Sequence, residues 1–348
     1  MYKKIFMGIA AVAALTLVSC SSDDLNSLSD NSSKNEAISF DGYLGRSAVA
    51  VNGSRGSVLE IADLQASKDG FGVFGNYSST GNTTAYGENL FKNEQVTYST
   101  PSTSTNTNWT YKNTKYWPTE GHIDFLAYAP YGGETTLKNN TSIDFTVDGD
   151  VAKQKDLLWA TAENQTKAKN SGENKVKFTF KHALAKIGYT VKTSEHDEGT
   201  TIKLNKITLA GSNDGTQKAF YPKGTIDLST GDWTPSTSEK KLIFEWFTNT
   251  SGKEVTTEAT GNEPGNFLFV IPQKFSTSPS DELYVIVEYT IQTGSTAMKS
   301  RVSSKITKDF DKGKAYTINL TLGLTPIEFD VTTVDTWIPG DDVNIPLK

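Results

Sequence analysis

Apolar residues recur at every second position along most of this chain. Ile38 and Phe40 alternate with polar neighbours, and Gly42 and Leu44 continue the phase. The period returns at Phe71 and Val73, at Val96 and Tyr98, and at Ile123, Phe125, Ala127 and Ala129. Val176, Phe178 and Phe180 form a cleaner set. Leu242, Phe244 and Trp246, then Leu283, Val285 and Val287, then Tyr316, Ile318, Leu320 and Leu322 continue it. Short alternating runs broken by Gly, Asn, Asp and Pro predict half-buried strands. No long window sustains a helical period, and no fixed-period repeat points to a solenoid or propeller. The expected fold class is all-β, built from sandwiches. The polar stretch Asn164 to Lys175 precedes a seam near residues 182 to 190, beyond which a new set of strands begins.

The N-terminus has a different pattern. After Lys3 and Lys4, residues 5 to 18 are apolar or small except for Thr16. A run of about 14 residues is too short to span a bilayer core of about 30 Å, and it fits the apolar part of a signal peptide. It ends at Leu17-Val18-Ser19-Cys20, which carries the only cysteine. This resembles a bacterial lipobox, in which the cysteine receives lipid and becomes the new N-terminus. Ser21-Ser22-Asp23-Asp24 resembles a surface-export tag of Gram-negative outer-membrane lipoproteins. Residues 1–19 are therefore read as signal peptide and Cys20 as the lipidation site. Residues 21 to 36, rich in Ser, Asp and Asn, read as a flexible tether.

Loss of residues 1–19 removes two lysines and no acids, so the formal charge of -6 becomes -8. An acidic chain without a basic patch lacks the electrostatic footprint of a nucleic-acid binder. With Cys20 lipidated no disulfide is available, and stability must come from burial. The remaining length corresponds to about two domains.

The chain offers little catalytic chemistry. Gly70-Phe71-Gly72-Val73-Phe74-Gly75 matches a dinucleotide-binding string, but Asn76-Tyr77-Ser78-Ser79 cannot open the helix that such a site needs. The glycines instead mark close backbone approach in a strand. His122, His182 and His196 have no ligands at metal-site spacing, and His182 reads as structural. Asp148-Gly149-Asp150 and Asp341-Asp342 are acidic turns without the spacing of a calcium loop. No nucleophile elbow organises a serine. No enzyme, metal or cofactor is expected. The cluster Trp109, Tyr111, Tyr116 and Trp117 reads as strand packing, with sugar stacking as its functional alternative.

Four blocks carry a family resemblance. They are Phe71-Gly72-Val73-Phe74, Asp156-Leu157-Leu158-Trp159-Ala160, Phe180-Lys181-His182-Ala183-Leu184-Ala185-Lys186-Ile187 and Gly313-Lys314-Ala315-Tyr316-Thr317-Ile318-Asn319-Leu320. Together they resemble the fimbrillins, lipoprotein-derived subunits of type V pili. The resemblance implies two tandem transthyretin-like β-sandwiches, with an N-terminal sandwich over residues 56–183 and a C-terminal one over 184–348. It also implies a mechanism. An arginine-specific protease removes an N-terminal segment with the first strand, and a C-terminal strand of another subunit fills the groove.

On this reading residues 20–55 form a lipidated tether and propeptide. The removable strand is Ala37 to Leu44, with Ile38, Phe40 and Leu44 facing inward. Of the chain's few arginines, Arg55 lies in the open stretch Asn52-Gly53-Ser54-Arg55-Gly56-Ser57 and is the preferred cleavage site, with Arg46 second. The donor segment is 326–348, with Ile327, Phe329 and Val331, then Val343, Ile345 and Leu347, alternating. Pro346 suits an edge or terminus. The expected role is a structural, stalk-type subunit for adhesion or biofilm formation, at the cell surface as an outer-membrane lipoprotein precursor and then as fimbrium. Its partners are other pilin subunits, the outer membrane through the lipid, and a host or bacterial surface ligand. A tip or anchor subunit and a surface glycan-binding β-sandwich lipoprotein are the alternatives.

Overall fold

The computed structural model describes residues 36–44, 59, 61–79, 81, 83–99, 109–170, 175–236, 241–262, 266–275, 281–324 and 328–334. Among these the chain is all-β apart from short helical turns. One sheet runs β1 (Phe40–Leu44), β8 (Val176–His182), β7 (Leu158–Gln165), β5 (His122–Ala129), β2 (Phe71–Ser78), β3 (Phe91–Tyr98) and β4 (Trp109–Tyr111). A second runs β13 (Phe244–Val255), β10 (Thr200–Ala210), β16 (Leu283–Thr293) and β17 (Thr296–Ile306). A third joins β12 (Trp233–Pro235), β11 (Lys223–Asp227) and β6 (Ser142–Thr146). The fourth runs β14 (Thr260–Gly261), β9 (Ala185–Thr193), β18 (Ala315–Leu322) and β19 (Glu328–Val334), with β15 (Leu268–Val270) also on β9. The α-helix α1 (Ile61–Ala66), absent from the sequence expectation, turns Leu64 into the core.

Two cores form. One lies within the first half and gathers Ile38, Phe40, Phe71, Phe91, Phe125, Phe178 and their neighbours. The other fills the second half but also takes Phe74, Leu126, Tyr128 and Trp159 from the first sheet. Alternate residues of β2, β5 and β7 thus serve opposite cores. This is why all eight residues of β5 are buried, including polar His122 and Asp124. Asp124 is satisfied there by the backbone N–H groups of Ala85 and Asn164 and by His122 Nε2. β6 precedes the seam in sequence yet pairs with β11 beyond it, from Ser142↔Asp227 to Thr146↔Lys223.

The glycine string is a packing device. A Cβ on Gly70, which has φ of 61°, would lie 2.0 Å from the carbonyl oxygen of Val96. One on Gly72 would lie 2.4 Å from the ring of Tyr128, and one on Gly75 2.8 Å from Phe91. These are close backbone approaches within and beside β2, as expected for glycine in a strand.

Three of the family blocks meet at the junction of the cores. The Asp156 carboxylate, fully buried, accepts from Leu157 N–H at 2.8 Å and Leu59 N–H at 3.2 Å, and sits 2.7 Å from His182 Nδ1. Ala183 N–H donates to Leu157 O, and Trp233 Nε1 donates to Ala183 O. Gly313 N–H donates to Leu184 O, and Lys186 N–H to Lys314 O. Buried polar groups are costly unless paired, so these bonds set the register of the junction. Replacing Asp156 with Ala strips several buried donors of their acceptor and is expected to cost about 1–3 kcal/mol in urea unfolding. An unchanged midpoint would show that the cluster does not hold the junction.

Candidate functional site: the slot of the first strand

Segment 36–44 threads between two edges of the first core. On one side β1 pairs with β8 in parallel, from Phe40↔Val176 to Leu44↔Phe180, and Val176 N–H donates to Ser39 O at 2.9 Å. On the other, the residues just upstream pair antiparallel with the strip 115–117. Ile38 N–H donates to Lys115 O at 2.8 Å, and Trp117 N–H to Glu36 O at 3.0 Å. Tyr111 adds its hydroxyl to Ile38 O at 2.8 Å. The segment is thus held by backbone bonds on both sides of the first core.

Its side chains follow the predicted alternation. Ile38 and Phe40 are buried, and Leu44 is half-buried against the same core. Tyr43, on the opposite face, is 49% exposed. The ring of Phe40 sits among four others, with centroids 5.5 Å from Phe91, 5.4 Å from Tyr111, 5.5 Å from Phe125 and 5.6 Å from Phe178. Aromatic contacts of this kind add to the hydrophobic gain of burial. Gly42 has apolar neighbours on its side-chain face. A Cβ there would touch Phe180 at 3.4 Å and both Ile61 and Phe71 at 3.7 Å. Ile61 belongs to α1, so the helix caps the strand.

The second half repeats the arrangement. Its first strand, β9, pairs in parallel with β18, from Lys186↔Ala315 to Thr193↔Leu322. In each half an early strand lies parallel to a late one. The two differ in what precedes them. β9 follows β8 through Ala183 and Leu184, tied in by backbone bonds.

At the other end of the chain, β19 occupies the open edge of the fourth sheet and pairs antiparallel with β18. Phe329 stands opposite Leu320 in the register, and Val331 opposite Ile318. Val331 packs half-buried against the second core, and Thr332, which the sequence did not single out, is buried. Cys20, Arg46, Arg55, Ile327, Val343, Ile345 and Leu347 lie outside the described residues.

The aromatic cluster lines the slot and does not form a surface platform. Trp109 is 4% and Trp117 1% exposed, and the Tyr111 hydroxyl is engaged with the first strand. Both tryptophan rings are thus withdrawn from solvent, while Tyr116 is half-buried. Among the described residues, no group of three or more His, Cys, Asp and Glu side chains could hold a metal ion.

The fimbrillin-like family matches residues 60–337. The chain belongs to the fimbrillin-like family. Its members are structural adhesion proteins rather than enzymes, which sets this one among fimbrial proteins of the cell surface. The fold of this fimbrillin-like chain is shared by a fimbrial protein from Bacteroides vulgatus, with 22% identity over 87% of this chain and 100% of that one, at a TM-score of 0.66. The tip fimbrial protein Mfa3 from Porphyromonas gingivalis is more distant, at 13% identity over 76% of this chain and 93% of that one, with a TM-score of 0.38. No curated protein matched this chain in sequence.

Two outcomes are expected for the slot. Phe40→Ala should cost about 3–5 kcal/mol in urea unfolding, whereas Tyr43→Ala should stay within about 0.5 kcal/mol. Equal effects would mean that the ring cage is not a keystone. Burial pushes the Tyr111 phenol above its ordinary value, with the nearby Glu94 and Tyr116 adding to the rise and the Lys115 backbone opposing it. The neutral phenol is therefore favoured in the folded state. That contribution is complete below the ordinary tyrosine value near pH 10 and is lost as pH rises beyond it. Tyr111→Phe should accordingly flatten the loss of stability above about pH 10 relative to the parent chain, measured by urea midpoints at stepped pH.

Proposed function

We propose that this chain is a stalk-type subunit of a type V fimbria, assembled by strand exchange. It is exported as a lipoprotein on Cys20 and cut after Arg55, or after Arg46, so that β1 leaves with the propeptide. The emptied slot of one subunit then receives a C-terminal strand of the next. The two cores correspond to two tandem transthyretin-like sandwiches, divided near residue 184, with 326–348 as the donor segment.

The observation that supports this best is the position of Phe40. A residue central to a core is carried by a peripheral strand, upstream of both arginines. The strand contributes three large apolar side chains, Ile38, Phe40 and Leu44, each giving about 1.5–3 kcal/mol on burial. A slot that loses such a strand exposes Phe91, Phe125 and Phe178, a strong drive to accept a replacement. The chain carries a second copy of the motif: Ile38-Ser39-Phe40-Asp41 recurs as Ile327-Glu328-Phe329-Asp330. Phe329 therefore offers the ring that the cage takes from Phe40. The terminal run Val343, Ile345 and Leu347 offers aliphatic side chains and includes Pro346, which lacks an N–H for pairing.

The test uses the chain beginning at Gly56, with and without residues 327–348. The longer form should give a denaturant-resistant ladder on gels and the shorter form none. An excess of synthetic peptide 36–44, which refills the slot, should suppress the ladder. Polymers that persist without residues 327–348, or that ignore the peptide, would overturn the proposal.

A further inference from the structure

Away from the slot, the outer face of the β13–β10–β16–β17 sheet carries a groove of about 650 Å³. It arises from a register defect. Asn205 is an extra residue in β10 relative to β16, and on the other side it stands opposite four residues of β13. Leu204 and Lys206 pair with the adjacent Tyr289 and Glu288 on one side, and with Lys253 and Thr248 on the other. Residues 249–252 of β13 therefore bulge out as a wall, turning at Gly252 with φ of 78°. The Asn205 amide donates to Asn249 O at 3.2 Å, and its carbonyl accepts from the Thr290 hydroxyl at 2.7 Å. The wall is thus fixed to the floor. β-Bulges recur where a sheet re-aims side chains for a task.

The charges on the lining are asymmetric. Lys203, Lys206, Lys299 and Arg301 face the groove against one carboxylate, Glu288. Glu245 and Asp214 flank a smaller hollow next to it. Lys206 is paired 2.7 Å from Glu245. Arg301 donates to the carbonyls of Asn213 and Asp214 at 3.3 and 2.8 Å and lies 3.9 Å from Glu288. Among the described residues, neither Lys203 nor Lys299 has a carboxylate within ion-pair distance. On a chain of net charge -6 this is a local cationic field. Of the fourteen lining residues, eight are Asn, Gln, Ser or Thr. Tyr289 is the one lining residue with a large apolar side chain.

We propose that this groove binds an acidic oligosaccharide. Uronate carboxylates would sit on Lys203, Lys299 and Arg301, while ring hydroxyls exchange hydrogen bonds with the amides and hydroxyls of the walls. The site lies apart from the slot of β1 and does not depend on strand exchange.

Calorimetry on the full chain tests it, with a galacturonate hexasaccharide as probe and a neutral glucose hexasaccharide and hexa-aspartate as comparators. The galacturonate should bind, and its affinity should fall as salt rises. The double variant Lys203→Gln, Lys299→Gln should weaken binding at least tenfold with an unchanged thermal midpoint. Neutral sugar should bind at least tenfold more weakly than galacturonate. No galacturonate binding, equal binding of the neutral sugar, equal or tighter binding of hexa-aspartate, or indifference to the double substitution would each overturn the assignment.

Discussion

The ring of Phe40 is the point on which the first half of this molecule depends. Four aromatic side chains from β3, β4, β5 and β8 close on it. None of them can keep that packing if the ring is withdrawn, because a close-packed core tolerates a large void poorly. Yet the strand that delivers Phe40 comes before α1 and is held by an edge of β8 and a short strip at 115–117. Core residues normally belong to strands locked between neighbours along their whole length. Here a central side chain sits on a strand at the edge of its sheet. The second half solves the same packing problem with β9, which follows β8 directly in sequence.

The two halves are coupled by the sheet they share. Phe125 and Leu126 are adjacent in β5, but one serves the first core and the other the second. Gln154 adds a polar tie, accepting from Phe269 N–H at 2.7 Å. The Asp156–His182 cluster holds Leu59 at the same junction. The chain at Leu59 is therefore anchored to the body independently of β1. On the proposed processing, a cut upstream of Leu59 would separate the strand from a framework with contacts of its own.

The strand alternation was readable in the residues because most strands bury one face. Ile38, Phe40 and Leu44 alternate on either side of exposed Tyr43, and Val176, Phe178 and Phe180 show the same physics. β5 shows the limit: buried on both faces, it mixes His122 and Asp124 into the run, and alternation exposes only one of its two sets. α1 escaped notice because its six residues are too few to display a helical period. β6 could not be assigned its partner, since β11 lies some 80 residues onward. The polar groove was invisible for a related reason. It exists because of a register shift at Asn205, and no composition or spacing in one strand announces how its neighbours align. The family blocks, by contrast, were legible as words before their physical meaning was: Asp156 and His182 belong to separate motifs and meet as one hydrogen-bonded pair.

On the proposed function, the first strand occupies its slot only until a partner replaces it. The most direct measurement is the N-terminal residue of subunits recovered from fimbriae on the cell surface. Chains beginning at Gly56, or at Ser47, which have lost Phe40 with the rest of β1, are expected. Fimbrial subunits that still begin at Cys20, with Ile38 to Leu44 in place, would contradict it.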